Sequence, residues 1–193
     1  MKVTTFYPLP LATIYYVSHF LTPKEADQSF RELRQMIHWK QTSITLFGKT
    51  HPTPRLVAYY GDVPYRYSTI TWPATPHWPP LLEHLRAKLA RQCNTPFNAV
   101  LLNLYRHGQD SMSAHADDEA TIVPDSTIAS LSLGATRRFI CTPKSIHPDA
   151  PEKLKLTLDH GSLFVMEGTT QRYWKHAIPK QKRVTKSRIN LTF

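Results

Sequence analysis

TIASLSLG, residues 127–134, is a β-prone run that closes on a turn residue, and it sets the reading of everything after residue 95. Short extended segments surround it at close spacing. Asn98 to Tyr105 precedes it and Arg137 to Thr142 follows. Leu154, Leu156 and Leu158 then alternate with Lys155 and Thr157, the pattern of a half-buried strand. His160-Gly161 is a turn, Ser162 to Glu167 (SLFVME) is a further strand, and Arg172 to Ile178 is another. So many short strands fit a sandwich, jelly roll or barrel, and no helical periodicity competes with them.

Side chains two apart on a strand share a face. His115 and Asp117 form one such pair, Asn103 and Tyr105 a second, and Arg188 and Asn190 a third. Ile189, Leu191 and Phe193 occupy the opposite face of the last run. Three polar pairs on separate strands would make one polar lining inside a barrel. For Arg188 and Asn190 there is an alternative, exposure on an amphipathic edge strand, and periodicity leaves both open. His176 stands further along the chain. Two imidazoles and one carboxylate can hold iron(II) on one face and leave the other free, the arrangement of the non-haem oxygenases. The His115-Ala-Asp117 tripeptide alone is weak evidence, since 10 His and 8 Asp in 193 residues give about 0.4 chance matches. Its weight comes from the strands around it. An arginine returning on the tail suits a co-substrate with a carboxylate to clamp.

At 193 residues the chain is most simply one domain with a substantial core. Its apolar runs are too short to span a bilayer, and the apolar N-terminus is broken by Pro8 and Pro10, unlike a signal peptide. Cys93 and Cys141 have neither zinc-ligand spacing nor a disulfide framework, so a reducing, intracellular setting is expected. Two helices are expected in the first half. Thr22 and Glu25 make a capping-box pattern with Pro23 at the first position, and Ala26, Phe30, Leu33 and Ile37 follow as one stripe. The second helix starts near Pro79 or Pro80 and carries Leu81, Leu82, Leu85 and Leu89. Both should pack outside a sheet. Residues 41–78 between them read as irregular, rich in Pro, Tyr, Trp and Thr, with Lys49, Arg55 and Arg66 among the aromatics.

Formal net charge is +10, and the 26 residues from Gly168 to Phe193 hold seven basic residues and no acid: Arg172, Lys175, Lys180, Lys182, Arg183, Lys186 and Arg188. A basic run is commonly just a solvated surface. Beside a metal site, with interleaved aromatics, it is also the footprint of a nucleic-acid binder. No amphipathic basic helix accompanies it to argue for a membrane.

NLYRHGQDSMSAHADDE (103–119), IASLSLGATRRF (128–139), DHGSLFVMEGTTQRYWKH (159–176) and RINLTF (188–193) together resemble the AlkB family of alkylation-repair dioxygenases. LFGKTHPTPR and AYYGDVPYRYS, within Leu46 to Ser68, resemble the nucleotide-recognition lid of its eukaryotic DNA/RNA-repair members. The resemblance covers roughly residues 44–193 and rests on several ordered blocks. It implies a mainly β protein with flanking helices: a double-stranded β-helix (jelly-roll) core over 96–193, with the helices and lid over 1–95. It implies Fe(II), 2-oxoglutarate and O2, and oxidative demethylation of 1-methyladenine and 3-methylcytosine in DNA or RNA, with release of formaldehyde, succinate and CO2. By this resemblance His115, Asp117 and His176 hold iron, and Asn103, Tyr105, Arg188 and Asn190 hold 2-oxoglutarate. Glu119 lies near the exocyclic amine of the target base and Asp118 beside it, although Asp118 could equally pair with an arginine. Tyr65 or Tyr67 forms the aromatic wall of the base pocket, Arg55 belongs to the same substrate surface, and Phe47 sits at the tip of a duplex-probing finger. Many members carry a further co-substrate arginine beyond the NLTF tail. The sequence stops at Phe193, so either the chain is trimmed there or another basic residue takes that role, with Arg138 or Arg137 as candidates.

The target base must leave its stack to reach iron, so flipping or a single-stranded substrate is expected. A monomer with no membrane association is expected. An oxygenase acting on RNA only or on protein would share the iron and 2-oxoglutarate residues, but the basic segment and the aromatic lid argue against a protein substrate. A non-catalytic nucleic-acid-binding jelly roll would keep the basic patch without needing three placed ligands.

Overall fold

Leu131, Leu133, Ile189 and Leu191 are completely buried, and they meet in pairs across two neighbouring strands, Leu131 opposite Leu191 and Leu133 opposite Ile189. Ser130, Ser132, Arg188 and Asn190 alternate with them on the other face of the same strands, and all four are buried as well. One sheet therefore has an apolar side and a polar side, and neither faces water. The rest of the architecture follows from what covers each side.

The computed structural model describes residues 1–46, 49–67, 70–145 and 153–193. In chain order these form β1 (Val3–Leu9), β2 (Ala12–Ser18), α1 (Pro23–Met36), β3 (Lys40–Leu46), β4 (Lys49–Gly61), β5 (Tyr65–Tyr67), β6 (Ile70–Trp72), α2 (Pro80–Cys93), β7 (Ala99–Tyr105), β8 (Met112–His115), β9 (Ile128–Gly134), β10 (Arg137–Pro143), β11 (Leu154–Leu158), β12 (Ser162–Glu167), α3 (Thr170–Tyr173), β13 (Trp174–Ile178) and β14 (Arg188–Thr192). An eight-stranded antiparallel sheet runs β1-β2-β12-β9-β14-β7-β4-β3, a four-stranded sheet runs β11-β10-β13-β8, and β5 and β6 form a separate hairpin. Leu33 of α1 and Leu82, Leu85 and Leu89 of α2 share a core with Leu102, Leu131, Leu163 and Leu191 on the outer face of the large sheet. Ile128, Phe164 and Met166 on its inner face pack against Phe139, Cys141 and Trp174 of the small sheet. This is a jelly roll with flanking helices, as the strand spacing implied.

Both helices obey their end signals. Glu25 N–H donates to Thr22 Oγ1 at 3.2 Å and Thr22 N–H to Glu25 Oε2 at 2.8 Å, a closed capping box. α2 stops where Asn94 turns left-handed at φ 50°. Among the described residues no helix is long and apolar enough to cross a membrane.

Two expectations need correction. Most of residues 41–61 is not irregular: β3 and the 13-residue β4 form one end of the large sheet. Pro52 and Pro54 concealed this. Both lie in the half of β4 that pairs only with the edge strand β3, across a register shift between Gln41 and Ser43, where missing N–H groups are tolerated. Beyond them Leu56–Gly61 pairs fully with β7. Second, Arg172 and Tyr173 belong to the one-turn helix α3, and the strand begins at Trp174. The N-terminal segment, for which the sequence suggested no element, forms the hairpin β1–β2, which pairs through β2 with β12.

Candidate metal centre and co-substrate pocket

β8 and β13 are neighbours in the small sheet, and their register sets His115 directly opposite His176. The two imidazole centroids are 4.3 Å apart. Asp117 follows β8 by two residues. Its Oδ1 is 3.5 Å from His115 Nε2 and its Oδ2 is 3.6 Å from His176 Nε2. One donor atom from each residue lies within 4.8 Å of the others, a spacing that fits a single metal ion. Second contacts orient both rings. His115 Nδ1 donates to Ser113 O at 2.9 Å, which leaves Nε2 with the lone pair. His176 stacks on Phe139 with centroids 5.4 Å apart and planes 17° apart.

Burial lowers the His176 pKa to about 4, with His115 adding to the effect and Asp117 opposing it. The imidazole is therefore neutral at pH 7, the form that binds metal. Burial also lowers the His115 pKa, but its contacts with Asp117 outweigh this and the net direction is up. For Asp117 burial acts upward, and the two histidines hold it below the usual carboxylate range.

The inner face of the large sheet supplies the other half of the site. β14 lies between β9 and β7, so the edge-strand alternative for Arg188 and Asn190 is excluded. Arg188 pairs across to Tyr105 and Asn190 to Asn103, so the four expected co-substrate residues form one block on two strands. All four line a cavity of about 750 Å³ that also contains His115, Asp117 and His176. Arg188 is 1% exposed. Its Nη2 donates to Ser132 Oγ at 2.9 Å, its Cζ lies 5.3 Å from the Tyr105 ring centre, and its Nε and Nη1 are buried without partners. Burial, the largest influence, lowers its pKa to about 10, so it stays charged at pH 7. A buried cation with two open donors fits a planar carboxylate. Asn190 is held by Ser130 Oγ at 2.8 Å, and Asn103 Oδ1 accepts from Arg55 Nε at 2.7 Å, leaving the Asn103 amide nitrogen as the donor to a ligand.

The substrate candidates separate. Arg55 and Tyr65 line the cavity, and Tyr65 stacks on Tyr59 with centroids 5.5 Å apart. Asp118 and Glu119 line a smaller neighbouring hollow that shares Asp117 with the main cavity. Asp118 Oδ2 accepts from Lys144 Nζ at 2.6 Å, the ion-pair alternative with a lysine in place of the arginine. Glu119 Oε2 is buried without a partner, and burial, with Asp117 and Asp118 adding, raises its pKa. Tyr67 lies on β5, though its side chain is outside the described residues, as is Phe47 altogether.

Arg137 and Arg138 do not serve as the extra co-substrate cation. Arg138 is exposed, and neither residue lines the cavity. Arg137 is buried on structural duty, donating to Asp110 O at 2.8 Å and Pro179 O at 2.9 Å. Sequence reasoning missed Ser130 and Ser132, although two serines at period two inside the apolar run IASLSL were a readable sign of a polar inner face. It also missed Phe139 and Gln171, for which no pattern pointed to the site.

Known proteins agree with this geometry. The 2OG-Fe(II) oxygenase superfamily model matches residues 13–193. The chain is 40% identical over 191 residues to the alpha-ketoglutarate-dependent dioxygenase alkB homolog 3 of Bos taurus and 39% identical to that of Homo sapiens, covering 96% of this chain and 67% of each relative. It is 40% identical over 178 residues to the DNA oxidative demethylase ALKBH2 of Mus musculus, covering 88% of this chain and 74% of the relative. The solved structure of OsALKBH1 superposes with a TM-score of 0.63 over 98% of this chain and 99% of that one, at 16% identity, which speaks to fold alone. Donor set, buried arginine, fold and relatives converge, and the chain belongs to the AlkB family within the 2OG-Fe(II) oxygenase superfamily, whose cofactor is Fe(II) and whose co-substrates are 2-oxoglutarate and O2.

Proposed function

We propose that this protein oxidatively demethylates N-alkylated nucleobases such as 1-methyladenine and 3-methylcytosine in DNA or RNA, releasing formaldehyde, succinate and CO2. The observation that carries this reading is the shared cavity: a His-Asp-His set and a buried arginine with open donors occupy one wall system, with Tyr65 at its lining. The relatives named as dioxygenase and as DNA oxidative demethylase support it.

His115, Asp117 and His176 would hold Fe(II). Arg188 would receive one carboxylate of 2-oxoglutarate, with Asn103, Tyr105 and Asn190 fixing its orientation. When bound, this pair together with O2 supplies oxidation of an N-methyl group, after which the hydroxymethylated base loses formaldehyde. The residues of the chain do the rest. Met112, Ile122, Ile128 and Ile178 line the cavity with apolar surface that limits water. Tyr65, backed by Tyr59, offers a face for an extruded base, and Arg55 lies deeper beside Asn103. Glu119, in the adjoining hollow, would supply negative charge toward a methylated base that is cationic, while Asp118 is engaged by Lys144.

We assign the N-terminal part, residues 1–95, to substrate recognition and residues 96–193 to the catalytic core. Two unpaired cysteines support an intracellular protein, and we assign it as a monomer without membrane association. Anaerobic loading with Fe(II) and 2-oxoglutarate, followed by air and methylated oligonucleotides, tests the proposal through formaldehyde and repaired base. Wild-type protein giving neither product nor iron-dependent 2-oxoglutarate binding would defeat it, as would His115→Ala retaining full activity.

A further inference from the structure

We propose that Gln171 is a positioning residue for the metal-facing carboxylate of Asp117, and that it ties the metal centre to the N-terminal hairpin β1–β2. This inference rests on His115, Asp117 and His176 being the metal-holding set.

Asp117 lies just past the end of β8, in the turn-rich stretch that leads to β9, and strand pairing does not fix it. Its backbone N–H donates to Gln171 Oε1 at 2.9 Å. Gln171 is 7% exposed, and its Nε2 donates to Met166 Sδ at 3.3 Å. The two contacts fix the amide orientation: a flipped side chain would set its NH2 against the Asp117 N–H, donor against donor. The thioether is a weak acceptor, so the strong, directional bond is the one to Asp117.

Gln171 is in turn rigidly mounted. It sits on α3, a single turn that would not hold its shape alone. Thr170 Oγ1 donates to Glu167 O at 2.6 Å and accepts from Thr13 N–H at 3.0 Å. Thr169 Oγ1 donates to Leu11 O at 3.0 Å, and Trp174 Nε1 donates to Pro10 O at 3.0 Å. The hairpin turn at residues 10–13 thus grips α3 on both sides of Gln171. Because β13 continues directly from α3, the same short segment sets the position of His176 and the backbone of Asp117. Two of the three metal donors are therefore referenced to one anchored turn, while Gln171 itself need touch no metal.

The test is Co(II) titration of the metal-free full chain, read by the visible bands of bound Co(II), with melting of the metal-free protein measured alongside. Gln171→Leu should weaken Co(II) binding by about 10–100-fold, the range for partners of metal ligands. Gln171→Glu keeps an acceptor for the Asp117 amide and should bring affinity back to within roughly tenfold of wild type. Wild-type affinity in Gln171→Leu overturns the inference, as does equal loss in both variants, which would assign the effect to the Met166 contact or to packing. If Gln171→Leu does not fold, hydrogen exchange of the wild-type Asp117 amide decides: protection is expected, and exchange at the rate of an open loop overturns it. Wild-type protein failing to bind Co(II), or His115→Ala binding it unchanged, would instead overturn the metal-centre reading and take this inference with it.

Discussion

Arg188 and Ser132 are joined by a hydrogen bond of 2.9 Å through Nη2, while Nε and Nη1 of the same buried guanidinium are without partners. A cation held inside a sheet sandwich with two unmet donors destabilises the ligand-free fold, because each unsatisfied buried donor costs about 1–3 kcal/mol. The arrangement is sensible only if a ligand completes it. Arg188→Met should therefore raise the melting temperature of the metal-free, ligand-free protein while abolishing its response to 2-oxoglutarate. With Mn(II) present, wild type at a hundredfold excess of 2-oxoglutarate over Kd should gain about 2.7 kcal/mol. Arg188→Met showing that same gain would remove Arg188 from the co-substrate site.

Glu25 links the two outer helices, with Oε1 accepting from Lys88 Nζ of α2 at 2.7 Å while Oε2 closes the cap of α1. The Lys88 contact first, and the Thr22 bonds after it, lower its pKa to about 2. A carboxyl whose folded pKa lies below its unfolded value of 4.5 contributes stability that is complete above pH 4.5 and fades as pH falls toward about 2. Glu25→Gln can still reach the Thr22 N–H, so it isolates the charge. The side chain is 40% exposed, and solvent screening keeps the effect small. The melting difference between wild type and Glu25→Gln should be present at pH 6 and shrink steadily below pH 4.5. A difference independent of pH would show that the charge on Glu25 is not the source of the contribution.

The contrast between β14 and β4 shows which parts of the fold could be read in advance. RINLTF alternates cleanly because one face meets the helices and the other lines the cavity, and each environment selects its own side chains. In β4 the two prolines sit where pairing is one-sided, so a local breaker signal coexists with a regular strand farther on. The metal set was legible because its chemistry restricts it to a few residue types at period two. Gln171 was not, because its role comes from a tertiary contact 54 residues from Asp117, through an amide any turn could carry. Asp118 and Asp117 are adjacent in sequence, yet one turns to Lys144 and the other to two histidines, a distinction that residue type does not carry.

Arg137 fills its buried place in a different way from Arg188. Its donors are used on Asp110 O, Pro179 O, the side chain of Gln181 and, at 3.4 Å, His107 O, and its Cζ lies 5.5 Å from the centre of the Tyr105 ring. Arg137→Met would leave these acceptors buried and unmet, at a cost of about 3 kcal/mol. Destabilisation should be accompanied by faster amide exchange in residues 107–110 and 179–184, which bond to each other through Gly108 and Gln181. An unchanged melting temperature would show that water replaces the guanidinium at no cost.

The same anchoring makes the basic segment a shaped surface. Gly108 N–H donates to Val184 O at 2.7 Å and Gln181 N–H to Gly108 O at 2.7 Å, and a Cβ on Gly108 would come within 1.9 Å of Gln181 O. The backbone of 181–184 is thus pressed against the turn after β7, while Lys180, Lys182, Arg183 and Lys186 stay exposed and make no ion pair among the described residues. Arg188, counted with them by sequence, is inside the cavity and contributes nothing to this surface. If Lys180, Lys182 and Arg183 each neutralise one phosphate, replacing all three with glutamine should flatten the slope of log K against log salt by about 2 for a single strand, at roughly 0.7 per contact. Turnover on a free methylated nucleoside should stay unchanged, since none of the three lines the cavity. An unaltered salt slope with an intact fold would move the nucleic-acid track off this segment, toward Lys49 of β4 and Arg66 of β5.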